Sequence, residues 1–282
     1  MKAHRFLITV LALLVAGIYL FATAPAPLVE EVAAGKRIPI EEVLAILNHE
    51  NQMVREIYTG QIVLRGTKAG LKFDENWRDE GFDAGPLPAQ FLRLTAVSLE
   101  KSRMRLGLFL GSDYPINKAN KFSGLQLSMF RELRSDGRPR HFYMRDVGLH
   151  AYMYADMAIS KACVECHNEH DETPKEDWKL NDVMGATTWT YPAGAVTFSE
   201  FFELLHTLRQ AFKDAYETYL EKIRLAARPP EIGDKWPREG YYLPSVEVFM
   251  EEIERRCSPA TLESLLTITR EERFHEAQQS PG

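Results

Sequence analysis

The chain has 282 residues, 45% of them hydrophobic, 11% aromatic and 26% charged, a balance that supports a packed core and excludes a chain disordered throughout. Its formal net charge is −6 and its Lys and Arg residues are scattered, which excludes nucleic acid as a partner. Three cysteines, Cys163, Cys166 and Cys257, are too few and too clustered for a disulfide framework.

In chain order, Lys2 and Arg5 precede an uncharged apolar run from Phe6 to Ala22, and Glu30 and Glu31 follow it. Ala-x-Ala patterns at residues 22–24 and 24–26 are each followed at once by Pro25 or Pro27, whose fixed φ and missing N–H fit a peptidase poorly. The run is therefore expected to remain as a signal-anchor, residues 1–24, in the inner (cytoplasmic) membrane, with a cleaved signal peptide as the alternative. The positive-inside rule then places the rest of this single-pass chain in the periplasm or its equivalent. A linker over 25–38 leads to the first domain.

In "IEEVLAILNHENQMVREIY" Val43, Leu44, Leu47, Val54 and Tyr58 recur at helical spacing, with Ile46, His49, Met53 and Ile57 as a neighbouring stripe. A polar loop, "FDENWRDEGFDAGPLP", precedes a helix from about Ala89 to Ser102 and a strand in "MRLGLFLG". "SGLQLSMFRELRSDG" reads as a helix closed at Asp136-Gly137. "HFYMRDVGLHAYMYADMAI" reads as a hairpin about Val147-Gly148, with Leu149, Ala151, Met153 and Ala155 on one face and His150, Tyr152 and Tyr154 on the other. Short strands and helices without a βαβ rhythm predict an α+β domain on an antiparallel sheet, residues 39–197. A long helix over 198–228, begun near Ser199, stops before Pro229-Pro230. A turn-rich linker and two helices capped by Ser245 and Ser258 complete residues 229–282.

The stretch "ISKACVECHNEH" carries the chemistry. Cys-x-x-Cys-His is the spacing at which two thiols add across the vinyl groups of one haem while the adjacent imidazole reaches the iron. Cys163 and Cys166 would anchor haem c and His167 would be its proximal ligand. A structural zinc site needs four ligands, and no second cysteine pair stands at ribbon spacing. A thioredoxin-like dithiol opens a helix after a strand in a βαβ context, which the pattern does not give. A chance match is the third alternative. The extracytoplasmic setting favours haem, because an idle dithiol there would oxidise. For the sixth ligand, His49 is the first choice and Met53 the second, as i, i+4 neighbours on the first helix, with His150 and Met153 as alternatives from the hairpin; an exposed His49 would leave water there. Trp178 either packs on the porphyrin or seals the core. His141 and His206 read as ordinary surface or core histidines, the acids Asp171, Glu172, Glu176 and Asp177 as a solvated loop, and Cys257 as a small apolar residue.

The segment "ACVECHNEHDETPKEDWKLNDVMG", with "GLHAYMYADMAIS" before it, resembles the PAS-like c-type haem sensor family found on the extracytoplasmic sides of kinases, cyclases and chemoreceptors. Pro174, Lys175, Asp177, Trp178, Asp182, Val183 and Gly185 match its pattern, while Asn181 stands where a glycine is usual. The resemblance covers about residues 40 to 195 and implies a PAS-like antiparallel sheet with flanking helices, one haem, and sensing of redox state or a diatomic gas. The expected function is a membrane-anchored monohaem sensor, not an enzyme, that hands its state to a protein partner, with the long helix from Phe198 as the transmitting element. A tethered electron-transfer cytochrome is the alternative, and a homodimer is left open.

Overall fold

The computed structural model describes Leu14 and residues 37–279. The expected anchor, apart from the helical Leu14, and nearly all of the expected linker lie outside the described residues. Among the described residues no helix is long and apolar enough to cross a membrane.

Strand β1 (Arg37–Pro39) leads straight into α1 (Ile40–Ile57). Glu41 and Glu42 fill the first turn of α1, where they complement the helix dipole. Val43, Leu44, Leu47, Val54 and Ile57 are buried along it. The expected end at Tyr58 is not an end. The chain continues through a π-helical stretch, Tyr58–Leu64, into α2 (Arg65–Lys68), and turns only at Gly70, φ +97°. No helix-breaking proline stands before that point.

After the loop comes α3 (Pro88–Lys101), with Pro88 at its first position, where a missing N–H costs nothing. Strand β2 (Gly107–Gly111), α4 (Gly124–Asp136), β3 (Arg140–Met144) and β4 (Leu149–Met157) follow. Gly137 closes α4 at φ +71°, and Gly148 turns the hairpin at φ +67°, conformations that L side chains rarely adopt. Helix α5 (Lys161–Glu169) precedes β5 (Val183–Tyr191) and β6 (Ala195–Thr197), the latter pairing with β1. The main sheet has the order β2-β5-β4-β3 with antiparallel neighbours throughout. This is the α+β class expected. β5, an inner strand, had no place in the sequence reading.

The alternation along β4 and β5 sorts the sheet into two faces. Tyr152 pairs with Trp189 on one, and Met153 with Thr188 on the other. The Tyr152, Trp189 and Tyr191 side joins the main core, built with α1, α3 and the helices that follow; the Ala151, Met153 and Ala186 side packs with Phe122, Phe130, Leu133 and Phe142.

Helix α6 (Phe198–Arg224) corrects the expected transmitting helix. Its N-cap is Thr197, whose hydroxyl accepts the Glu200 N–H at 3.2 Å, not Ser199. Phe201, Leu204, Leu208, Phe212, Tyr216, Tyr219 and Ile223 recur at i, i+3 and i+4 and are all buried. The helix packs back on α3 and does not leave the domain. The boundaries expected at 198 and 229 fall inside the unit that begins at Ile38.

The turn-rich linker holds a parallel pair, β7 (Glu231–Gly233) and β8 (Tyr242–Pro244). The two expected C-terminal helices are one, α7 (Val246–Gln279), which runs through Pro259. Ser245 caps it as expected, its hydroxyl accepting the Val248 N–H at 3.4 Å. Ser258 caps nothing; its Oγ accepts from Arg209 at 3.4 Å. Proline inside a helix removes a hydrogen bond and crowds the carbonyl four residues back, but burial of Cys257 and Thr261 on either side holds the helix through it. Glu50 of α1, 0% exposed, accepts from Arg209 Nε at 2.8 Å and Nη2 at 2.6 Å, and from Thr261 Oγ1 at 2.7 Å. One carboxylate thus ties α1, α6 and α7 together.

Candidate functional site

Past Met157 three residues lead to the motif helix. Ala158 N–H donates to the Asp182 carbonyl and Asn181 N–H to the Ala158 carbonyl, both at 2.9 Å, so the later loop is laced to the end of β4. Ser160 then caps α5: its Oγ accepts the Cys163 N–H at 3.4 Å and lies 3.1 Å from Cys163 Sγ. Cys163, Cys166 and His167, at i, i+3 and i+4, fall on one face of this helix. Cys163 is half-buried, Cys166 exposed, and neither is in a disulfide.

Partial desolvation and then the Glu75 charge push the Cys166 thiol up. Burial, with His170 nearby, lowers the proton affinity of His167 and leaves the neutral imidazole, the form that binds metals. The motif does open a helix after a strand, so that ground for setting aside a redox dithiol falls. The expected absence of a βαβ context remains, since β4 and β5 are antiparallel neighbours, and a thiol pushed up is a poor nucleophile at neutral pH.

His170 is committed elsewhere. Its Nδ1 accepts the Glu172 N–H at 3.0 Å, which leaves the proton on Nε2 for Glu75, 3.1 Å away. This bond ties α5 to the loop before α3. Asn168 grips the backbone of Trp178 at both ends, donating to its carbonyl at 3.0 Å and accepting its N–H at 2.9 Å. Trp178 is 4% exposed, with Lys175 Nζ 4.6 Å over its ring and Tyr114 edge-on at 6.4 Å. It seals the 174–182 loop, and its indole N–H is buried without an acceptor among the described residues. An open cleft of about 700 Å³ beside it is lined by Tyr114, Arg134, Lys175, Asp177 and Asp182. Met157, Ile159 and Leu180, at the sheet end beside the motif, are 41%, 68% and 52% exposed.

The four sixth-ligand candidates are spread across the domain. Met153 is 0% exposed and belongs to the smaller core on the far face of the sheet. His150 stands seven residues before Met157, roughly 23 Å along β4, and its Nδ1 faces His141. His49 and Met53 lie on α1, His49 exposed and Met53 half-buried against the main core. α1 reaches the motif end of the sheet, where Arg55 pairs with Asp156, which also accepts from Thr187 Oγ1 at 2.9 Å. His206 and His141 are exposed, as are Asp171, Glu172, Glu176 and Asp177. Among the described residues no group of three or more His, Cys, Asp and Glu side chains is placed to hold a metal ion.

Sequence reasoning missed Ser160, Asn168, Glu75 and the Arg55–Asp156 pair. A serine three residues before Cys163 is a readable cap signal. The others meet partners through the fold and leave no local mark.

Two positions singled out by the resemblance have backbone reasons. Asn181, where a glycine is usual, has φ +70°, and asparagine is among the few side chains that tolerate this region. A Cβ at Gly185 would come within 2.6 Å of the Gly111 carbonyl oxygen. The family model described as Tll0287, of Tll0287-like proteins, matches residues 29–192, more than half of the 282. No curated protein and no solved structure matches the chain. The matched stretch runs through the Cys-x-x-Cys-His motif to the end of β5, and the chain belongs to the Tll0287-like family.

Proposed function

We propose that this chain is a membrane-anchored, extracytoplasmic monohaem c-type cytochrome with a PAS-like domain, working as a redox or small-gas sensor module through a protein partner and not as an enzyme. The observation that carries the reading is the placement of Cys163, Cys166 and His167 on one face of a capped helix at the end of the sheet, with Cys166 exposed. Cys163 and Cys166 would hold haem c through thioethers and His167 would hold its iron. When bound, the haem supplies a one-electron centre and, with an open sixth position, a site for a diatomic gas. The exposed side chains of Met157, Ile159 and Leu180 are suited to shield an apolar macrocycle from water. His167, already favouring its neutral form, needs no costly deprotonation to serve.

Absorption spectra of the purified full chain, oxidised, reduced and under CO, test the reading together with acid-acetone extraction. Haem that stays with the denatured protein, and is lost in Cys163→Ala with Cys166→Ala, is the expected result; extractable haem, or unchanged stoichiometry in the double variant, overturns it. Anchor retention is tested by fractionation, and a mature N-terminus at or after Pro25 in a soluble fraction would refute it.

The electron-carrier reading is favoured by one observation: α6 is embedded in the core, which removes the helix expected to carry a signal out. In the sensor reading the state would pass through α1, which the Arg55–Asp156 pair joins to the end of β4. Gas binding, a ligand exchange on reduction and altered hydrogen exchange along α1 identify the sensor. Fixed ligation, no gas binding and unchanged exchange identify the carrier.

A further inference from the structure

At the end of β4 remote from the motif, two imidazoles face each other. His141 on β3 and His150 on β4 are diagonal neighbours across the strand pair, since His141 pairs with Tyr152 and His150 with Tyr143. His141 Nε2 lies 3.4 Å from His150 Nδ1, and the two rings are parallel within 7°. Both rings are held from the sides: His141 stacks on Tyr152 at 4.3 Å, and His150 leans on Tyr143 at 4.9 Å. Tyr152 in turn donates to Glu41 Oε2 at 3.3 Å, which sets a carboxylate behind the pair. His141 is exposed and His150 half-buried, so the facing nitrogens are near water.

We propose that His141 and His150 form a two-histidine seat for a borderline divalent cation such as Zn²⁺ or Cu²⁺, independent of the Cys-x-x-Cys-His site. Two metal–nitrogen bonds of ~2.0–2.1 Å meeting at about 110° span roughly 3.4 Å between nitrogens, the separation already present. Today's ring orientation points the two nitrogens at each other, as in an N–H···N hydrogen bond. Rotation about each Cβ–Cγ bond turns both lone pairs toward a common point off that line. No proton is released by a neutral pair: the proton on the donating inner nitrogen moves to the outer nitrogen of the same ring, His141 Nδ1 or His150 Nε2. Gly194 packs beside the outer edge of His150, where a Cβ would stand 3.3 Å from Nε2 and crowd the ring. Water completes the coordination, because no third His, Cys, Asp or Glu among the described residues is placed to join. Imidazole ligands suit Zn²⁺ and Cu²⁺, not Mg²⁺ or Ca²⁺.

The test uses full-length protein in detergent, stripped with EDTA, in a Cys163→Ser/Cys166→Ser background so that the motif's thiols contribute nothing whether or not they normally carry haem; Cys257 is buried. Titration with ZnCl₂ is expected to show a single equivalent bound, weakened on the order of 10-fold or more by His141→Ala or His150→Gln and unchanged by His206→Ala. Cu²⁺ bound at the same site is expected to give an electron paramagnetic resonance signal split by nitrogens of two imidazoles. His141 is exposed, so its variant keeps the test valid if the His150 variant fails to fold. Absence of Zn²⁺ binding, equal affinity in the His141→Ala protein, or a Cu²⁺ signal with no imidazole nitrogen overturns the proposal.

Discussion

The two faces of the sheet are buried in different ways. One joins a core built with α1, α3, α6 and α7, with Trp189 donating to Asn48 Oδ1 at 3.0 Å and the Glu50–Arg209 pair set behind α1. The other lies under α4 alone, where Phe130 and Leu133 are the only fully buried residues of the helix and the remaining contacts come from Phe122, Phe142 and the strands. The many-helix face adds to its large apolar core polar groups that must find particular partners. The single-helix face is held by apolar area, which any suitable shape can supply. The first gains specificity and the second tolerance.

The sharpest way to break this contrast is Glu50→Ala. It leaves the Arg209 guanidinium without its partner in a half-buried place, and a loss of about 3–4 kcal/mol is expected, read as a lowered urea midpoint at unchanged slope. Phe130→Ala should cost somewhat less, about 3 kcal/mol, because a core under one helix can partly collapse into the space. Hydrogen exchange should rise in α4 and β3 and stay unchanged in α6; a larger loss than for Glu50→Ala would reverse the ranking of the two faces. Ser160→Ala, at the seam beside the motif, is expected to cost about 1 kcal/mol and to loosen only α5.

The smallest effect is a titration. Burial, and then the Glu50 charge, push the Cys257 thiol from 9.0 up to about 12. The folded state keeps this proton after the unfolded state has lost it, so the contribution is full below pH 9 and is lost as pH rises toward 12. A melting temperature that falls from pH 8 to pH 10, less steeply in Cys257→Ala, would show it. Native Cys257 should also resist alkylation at pH 8 until the protein unfolds; rapid labelling would mean that the α7 seam opens.

Local period made much of this legible. α1, α4 and the hairpin were readable because their side-chain repeats of 3.6 and 2 are set by the backbone alone. β5 was legible in principle, since Thr187, Thr188, Trp189, Thr190 and Tyr191 are all strand formers. The course of α6 was not, because an amphipathic stripe says that a face is buried and not against what. Thr197 and Ser199 offered equivalent hydroxyls two residues apart, and only the backbone turn chose between them. The site divides likewise: Cys163, Cys166 and His167 are a contiguous motif, whereas His170 meets Glu75 across 95 residues and Arg55 meets Asp156 across 101.

The Glu50 knot also sets a timetable. Its partners follow it by 159 and 211 residues, so the carboxylate is made long before either of them. Contacts of such separation close slowly, because loop entropy is lost before any bond repays it. During synthesis α1 would carry an unpaired charge on the side that later meets α6 and α7, which disfavours burying that side early. The carboxylate that fastens the finished protein thus acts, until Arg209 and Thr261 arrive, as a guard against closing the main core before its last two helices are present.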